Sequence, residues 1–103
     1  MKVAISSDGN KEDSRISEVS GRAPYYLIFE NGKLKKVVKN PFRIGGGAGF
    51  SVAAMLADEK VDIVVSGKFG PNMTSSLKEK GIKYKEMHNV SVSDVLNEVE
   101  QVK

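Results

Sequence analysis

The sequence contains no cysteine, and its 103 residues include a single histidine, His88. Without thiols the chain can form neither a disulfide nor a thiolate metal site. One imidazole beside the thioether of Met87 makes a poor metal site by itself. We therefore expect no metal ion to be ligated by the side chains of this chain.

Long apolar runs and a strong excess of one charge are missing too. The net charge is +3, whereas nucleic-acid binding requires a concentrated basic patch. No apolar run approaches the roughly 18 residues of a membrane span, and the opening MKVAISSDG lacks the basic and then apolar pattern of a secretory leader. We expect one cytoplasmic domain over residues 1–103, a monomer or weak dimer that binds neither nucleic acid nor membranes.

The turn and hydrophobic patterns predict five strands and three helices. The Asn31-Gly32 pair is a strong hairpin signal, and the lysines after it are typical of an edge strand. The last helix carries its apolar residues on one face, and Ser91 with Asp94 resembles a capping box. The predicted strands are Lys2–Ser7, Pro24–Glu30, Lys33–Lys39, Val61–Ser66 and Ile82–Glu86, and the first two helices are Ala48–Glu59 and Asn72–Lys80.

The order of these elements restricts the topology of the sheet. Helical crossovers imply parallel neighbours, and the hairpin implies an antiparallel pair. We predict a three-layer α/β/α fold with a five-stranded mixed sheet of order 3-2-1-4-5, in which strand 2 is antiparallel. Strands 1 and 4 then meet at the centre, where the winding reverses, and ligands favour the carboxyl ends of the strands at such a switch point.

The first two helices both begin in glycine-rich loops. The cluster Gly45–Gly49 precedes the first helix, and the turn Gly67–Asn72 precedes the second. Free backbone N–H groups and the positive dipole end at a helix start favour anions. The glycines match neither G-x-G-x-x-G nor a P-loop. From the residues alone, a flexible connection with close helix packing explains them equally well.

We predict one anion-binding crevice at the carboxyl ends of strands 1 and 4. Arg22 is expected near its mouth and could pair with an anion bidentately, although a salt bridge to Asp8 or Asp13 is an equal alternative. The residues predicted to form this site are Ser6, Ser7, Asp8, Arg22, Gly47, Gly49, Gly67, Gly70 and Asn72.

The segment Asn10–Ala23 is polar and has no clear period, which indicates a long loop. Loops of this length are often functional or mobile. Within Asn10–Gly21 the apolar anchors are Ile16 and Val19. We predict that this part is less ordered than the strands, and ordering on addition of a ligand would indicate a lid.

Four segments keep a recognisable motif order: MKVAISSDG, SGRAPYYLIFENGKL, GGGAGFSVAAMLADEKVDIVVSGKFGPN and SLKEKGIKYKE. Together they cover nearly the whole chain, and they resemble the dinitrogenase iron-molybdenum cofactor biosynthesis family. The resemblance implies a ribonuclease-H-like α/β fold. It also implies transient binding or carriage of an iron-sulfur or iron-molybdenum type cofactor or precursor, with a cluster donor or acceptor protein as a partner.

The chain departs from the family at one motif. Where the family commonly has His-Phe-Gly-Arg before the second strand, this chain has Val19, Ser20, Gly21 and Arg22. The family histidine is a candidate cluster ligand, so its replacement and the lack of cysteine argue against direct ligation here. Two hypotheses follow: a non-catalytic binder or carrier of an anionic metal-sulfur cofactor, or an interaction or regulatory module that kept the fold without the cofactor.

Catalytic side chains are not evident. Asp8 ends strand 1, where ribonuclease-H-like nucleases hold a metal, but Asp62 and Glu30 fall at the opposite end of the sheet. A two-metal site needs its carboxylates within a few ångströms of one another. No spacing selects a serine as the partner of His88. We predict that the protein is not an enzyme, and a small enzyme acting on a phosphorylated metabolite is the weaker alternative.

Overall fold

The computed structural model of the protein describes residues 1–42 and 48–101, with side chains up to residue 99. The predicted elements are present, and their ends lie within two residues of the prediction. The strands are β1 (Lys2–Ser7), β2 (Tyr25–Glu30), β3 (Lys33–Lys39), β4 (Ile63–Ser66) and β5 (Lys83–Glu86); the helices are α1 (Ala48–Asp58), α2 (Pro71–Glu79) and α3 (Val92–Gln101).

The strands form one sheet of order β3-β2-β1-β4-β5, which confirms the predicted topology. β2 pairs antiparallel with β1 and β3, and β4 pairs parallel with β1 and β5. The β2–β3 hairpin turns through Asn31 and Gly32, whose φ angles of 52° and 81° are both positive, as a type I′ turn requires. The central position of β1 and β4 therefore follows from one hairpin and two crossover helices.

Two apolar cores lie on opposite faces of the sheet. Side chains alternate along each strand, so that Ala4 faces α1 and α2 while its neighbours Val3 and Ile5 face α3. Burial of both faces explains why β1 is apolar without alternation. None of the helices in the described part of the chain is long and apolar enough to span a membrane.

Residues Arg15–Ser20, which we call the clamp segment, cross the carboxyl ends of β1 and β4. The Ser17 N–H donates to the Ser6 carbonyl, and the Ser17 carbonyl accepts from the Gly67 N–H at 2.9 Å. The Ser20 N–H donates to the Lys68 carbonyl at 3.0 Å, while Ile16 is buried. The sequence suggested a loosely held loop, whereas backbone hydrogen bonds join the clamp segment to both strands and argue against low order there.

Gly67 is required by the clamp segment. A Cβ atom added at Gly67 would overlap the backbone of Glu18, which passes directly over it. The Lys68 N–H also donates to the Glu18 carbonyl. At this position the absence of a side chain allows two backbones to touch.

We predict that the clamp segment is protected from hydrogen exchange in the free protein. The amides of Ser17, Ser20 and Gly67 donate to backbone carbonyls, so they should exchange at least about tenfold more slowly than Asn10. Amide exchange followed by NMR measures this directly. Fast exchange at these three amides would contradict the structure and support the prediction that this segment is less ordered than the strands.

A second prediction concerns two glycines of the same turn. Gly67→Ala should lower the free energy of unfolding by about 1–3 kcal/mol, because the new methyl group must displace the Glu18 backbone. Gly70→Ala is the matched control: its Cβ would meet nothing within 4 Å, so we expect a change within about 0.5 kcal/mol. Denaturant unfolding compares the two variants, and equal stabilities would be inconsistent with the clamp.

Candidate functional site

A cleft of about 160 Å³ lies where α1 and α2 begin, beside the clamp segment. Because a water molecule occupies about 30 Å³ in the liquid, the cleft has room for a small anion or for one face of a larger group. It is lined by Val19, Gly21, Arg22, Ala48, Gly49, Gly70, Pro71, Asn72 and Met73.

Both helix starts bring positive dipole ends to this cleft. α2 begins at Pro71 after Gly70, whose φ of −75° and ψ of 160° are extended, and no side chain caps it. Within residues 48–101, the first turns of α1 and α2 carry no acidic residue. First-turn N–H groups have no partner within their own helix, so the two starts offer donors and partial positive charge to an anion.

Gly49 brings α1 and α2 into contact. A Cβ atom added there would lie 2.9 Å from the backbone nitrogen of Met73 and 3.3 Å from its Cβ atom. A larger residue at this position would therefore push α2 away. The structure thus gives Gly49 a packing role that shapes the cleft, so substituting it would not separate ligand binding from stability.

A short 3₁₀ turn, Ser20–Arg22, forms one wall of the cleft. A buried polar cluster beneath it fixes its position: the Tyr26 hydroxyl donates to the Ser20 carbonyl at 2.6 Å and lies 2.7 Å from Ser20 Oγ, which is 2.8 Å from Met73 Sδ. Burial raises the pKa of Tyr26 far above its ordinary value, so the phenol stays neutral and can donate. We call Ser20–Arg22 the rim turn.

Asn40 holds the rim turn from the other side. It is 3% exposed, and its Nδ2 donates to the carbonyls of Gly21 and Ala23 at 3.2 and 2.9 Å. Its Oδ1 accepts from the Phe42 N–H at 2.8 Å. The Asn40 Nδ2 group thus connects the end of β3 with the rim turn, and its Oδ1 atom holds the local turn at Phe42.

Sequence reasoning missed several residues that build the cleft. Tyr26 and Asn40 carry no local signal, because only the folded chain shows that their polar atoms are buried. Gly21 is different: the Gly21-Arg22 pair matches the family motif, and a Cβ there would lie 3.7 Å from the Gly49 backbone nitrogen. The motif could therefore have indicated that Gly21 faces the start of α1.

The structure brings together Arg22, Gly49, Gly70 and Asn72 from the predicted site. The predicted Gly47 lies outside the described residues. The remaining four, Ser6, Ser7, Asp8 and Gly67, do not line this cleft.

Each of these four residues has a structural partner under or beside the clamp segment. Ser6 and Ser66 are buried and share a hydroxyl–hydroxyl bond of 2.6 Å, and the Ser7 hydroxyl donates to the Gly9 carbonyl at 2.6 Å. The Ser17 hydroxyl donates to Asp8 Oδ1 at 2.8 Å. The prediction of one shared crevice is wrong for these four residues: Ser6, Ser7 and Gly67 are buried beneath the clamp segment, and Asp8 is exposed beside it, away from the cleft.

Metal-ligating side chains are not assembled at the cleft. None of its described lining residues is Cys, His, Asp or Glu, and no group of three or more such residues able to hold a metal was found elsewhere in residues 1–42 and 48–99. His88 instead bonds to Glu86 at 2.9 Å, and this hydrogen bond lowers the pKa of that carboxyl. The cleft can therefore bind a ligand through N–H groups, Arg22 and Asn72.

Comparison with known proteins extends this picture. An uncharacterised protein of Methanocaldococcus jannaschii is 29% identical over 101 residues, which cover 93% of this chain and 82% of that protein. The apo form of the orange protein from Desulfovibrio gigas has the same fold, with a TM-score of 0.90 at 21% identity over 97% of this chain and 87% of that one.

A Thermotoga protein described as a candidate NifB protein is also similar. Its TM-score is 0.85 at 26% identity, and the match covers 98% of this chain and 88% of that one. The model of the family described as "Dinitrogenase iron-molybdenum cofactor" matches residues 1–102. The chain therefore belongs to this family.

Proposed function

We propose that the protein binds and carries an anionic iron-sulfur or iron-molybdenum type cofactor, or a precursor of one, without catalysing a reaction on it. The observation that carries the proposal is the cleft at which α1 and α2 begin, with Arg22 and Asn72 on its walls. Membership of the family supports the class of ligand. The bound group is cargo in this proposal, and the protein supplies a receptive surface.

The donor set suits hydrogen bonding to the cargo better than ligation of its metals. Val19 occupies the position of the family histidine and is exposed, while the sulfur of Met73 is buried against Ser20. Backbone N–H groups and a guanidinium can bond to the sulfides or carboxylates on the outside of a cluster. Each charge-assisted bond contributes about 1.5–3 kcal/mol, which suits reversible binding.

The size of the cleft supports transient carriage. A volume of about 160 Å³ corresponds to about five water molecules. A complete metal-sulfur cluster would place one face in the cleft and keep the other face in solvent. That open face would be available to a donor or acceptor protein, which we propose as the partner.

The second hypothesis, an interaction module without cofactor, also has a specific observation in its favour. Val19 is 43% exposed at the rim of the cleft, and Phe50 in the first turn of α1 is 52% exposed. Exposed apolar residues of this size are common at protein contact sites. Binding measurements on the parent protein separate the two hypotheses, because the interaction module would bind no metal-sulfur anion.

The first test is anaerobic titration with tetrathiomolybdate, a soluble molybdenum-sulfur dianion, followed by absorbance and by metal analysis after gel filtration. Arg22→Gln should weaken binding about tenfold or more through loss of a charge-assisted bond. Lys35→Gln removes the same charge from β3 and should bind like the parent. If both folded variants bind equally, Arg22 is not part of the site; if the parent does not bind, the interaction module takes precedence.

Gly70→Val provides a second test that does not change charge. Gly70 lines the cleft in an extended conformation, and a Cβ atom added there meets nothing within 4 Å. We expect valine to occupy space in the cleft, weakening tetrathiomolybdate binding at least about tenfold while leaving the melting temperature nearly unchanged. Ala54→Val, on the exposed face of α1, is the matched control. Parent-like affinity in a folded Gly70→Val protein would place the anion elsewhere.

A further inference from the structure

The sheet ends at β5, and the outer edge of this strand is the starting observation. The Lys83 N–H donates to the Asp62 carbonyl at 3.1 Å, and the Met87 N–H donates to the Ser66 carbonyl at 2.9 Å. These residues therefore direct their backbone groups towards β4. Because direction alternates along a strand, Tyr84 and Glu86 direct their N–H and C=O groups towards the outer edge, where a further strand could pair.

A groove of about 640 Å³, lined in part by Lys83 and Lys85 of β5, lies on the face of the sheet that carries α3. Ile63 and Val99 contribute apolar surface to it, and Lys83 and Lys85 contribute charge. Lys85 is paired with Val65, which packs in the apolar core between the sheet and α3. Paired residues of neighbouring strands share a face of the sheet, so Lys85 and Lys83, two residues before it, lie on the α3 face. A volume of this size is in the range of functional binding sites, about 300–1,000 Å³.

The described charges of the groove favour an acidic occupant. Asp62 contributes one negative charge to the groove and accepts the Lys2 N–H at 2.7 Å, whereas Lys83 and Lys85 contribute two positive charges. Lys85 pairs with Glu98 at 3.2 Å, and both side chains are about half exposed, so this contact is weak and exchangeable. Lys83 has no ion pair with any side chain that the structure describes. An acidic side chain above Lys83 and Lys85 would therefore gain more than a basic one.

Antiparallel pairing with a second copy of the chain is disfavoured at this edge. Antiparallel strands exchange hydrogen bonds only between residues that both face the partner, so two copies of β5 can pair through Tyr84 and Glu86 alone. If Tyr84 of one copy lies opposite Tyr84 of the other, then Lys83 lies opposite Lys85. If Tyr84 lies opposite Glu86, then the Lys85 residues of the two copies lie opposite each other. Glu86 opposite Glu86 is repulsive as well. Like charges directly across a pair are destabilising.

The other edge of the sheet is protected by different means. β3 carries four lysines within seven residues, and its pairing with β2 shifts register between Ile28 and Phe29, so that Lys35 is an extra, bulged residue. Both edge strands carry lysines, and the bulge is the feature of β3 that further discourages the addition of a strand. β5 is regular over its four pairs with β4, and it borders the groove.

We infer that the β5 edge is a docking site for an extended acidic segment of a partner protein. The segment adds to the sheet by main-chain hydrogen bonds to Tyr84 and Glu86, as in other β-strand additions. Its acidic side chains, at alternate positions, face Lys83 and Lys85, which line the groove. This inference is independent of the proposed cofactor site, which lies at the beginning of α1 and α2.

The test uses the full chain and a fluorescent, blocked eight-residue peptide of alternating glutamate and valine. We expect saturable binding by anisotropy, with protection of the Tyr84 and Glu86 amides in NMR exchange. A peptide of alternating lysine and valine should bind at least about threefold more weakly. Equal binding of the two peptides, or protection confined to β3, would overturn the inference; so would an absence of binding.

Two pairs of variants test the geometry. Glu86→Pro removes an outward N–H without breaking a bond to β4, and Glu86→Ala keeps that N–H while losing the same carboxylate. We expect loss of peptide binding in the proline variant only, with both variants folded by circular dichroism. Lys83→Glu should weaken binding at least about threefold, whereas Lys35→Glu, an equal charge change on β3, should not. Equal affinities of the two Glu86 variants would refute strand addition at β5, and equal affinities of the two lysine variants would refute the preference for an acidic segment.

Discussion

The backbone contact between Gly67 and the clamp segment determines where a ligand can approach this protein. In a doubly wound sheet the open region beyond the central strands is the usual binding crevice. Here Glu18 passes directly over Gly67, and the Ser17 carbonyl accepts the Gly67 N–H. Because the clamp segment closes this edge, the accessible cleft lies instead at the starts of α1 and α2.

The cleft depends on backbone geometry more than on reactive side chains. Gly49 lets the two helices touch, and the rim turn is held by Tyr26 from below and by Asn40 from the side. These contacts position helix dipoles and N–H groups, which bind negative charge irrespective of the ligand's chemical identity. The proposed site would keep its donors despite the change from the family histidine to Val19, because these donors are main-chain N–H groups, Arg22 and Asn72.

The two edges of the sheet show how the same pleated architecture can have different consequences. β3 is interrupted by a bulge, whereas β5 is regular and has Lys83 and Lys85 lining a groove beside it. The alternation of strand direction makes self-association at β5 bring Lys85 against Lys85 or against Lys83. In the proposed docking site, repulsion between lysines disfavours a second copy of the chain, and attraction to the same lysines favours an acidic segment of a partner. Specificity then comes from repulsion as well as attraction.

The sequence by itself determined the elements and their order in the sheet. The Asn31-Gly32 hairpin and the two crossover helices allow few topologies, and apolar β1 implies burial on both faces, so local rules were sufficient. Gly49, Gly70 and Asn72 could be predicted to line the cleft because helix starts are visible as glycine and proline turns. Local rules could not show that the clamp segment covers the strand ends.

Only the tertiary structure decided which predicted residues share a cleft. Ser6 and Gly67 are separated by 61 positions along the chain, and whether they face solvent depends on the clamp segment, whose hydrogen bonds join backbone groups that every residue possesses. The roles of Tyr26 and Asn40 likewise depend on burial of their polar atoms. Backbone pairing between distant segments depends very little on which side chains are present. The sequence therefore specified the fold but not the location of the cleft.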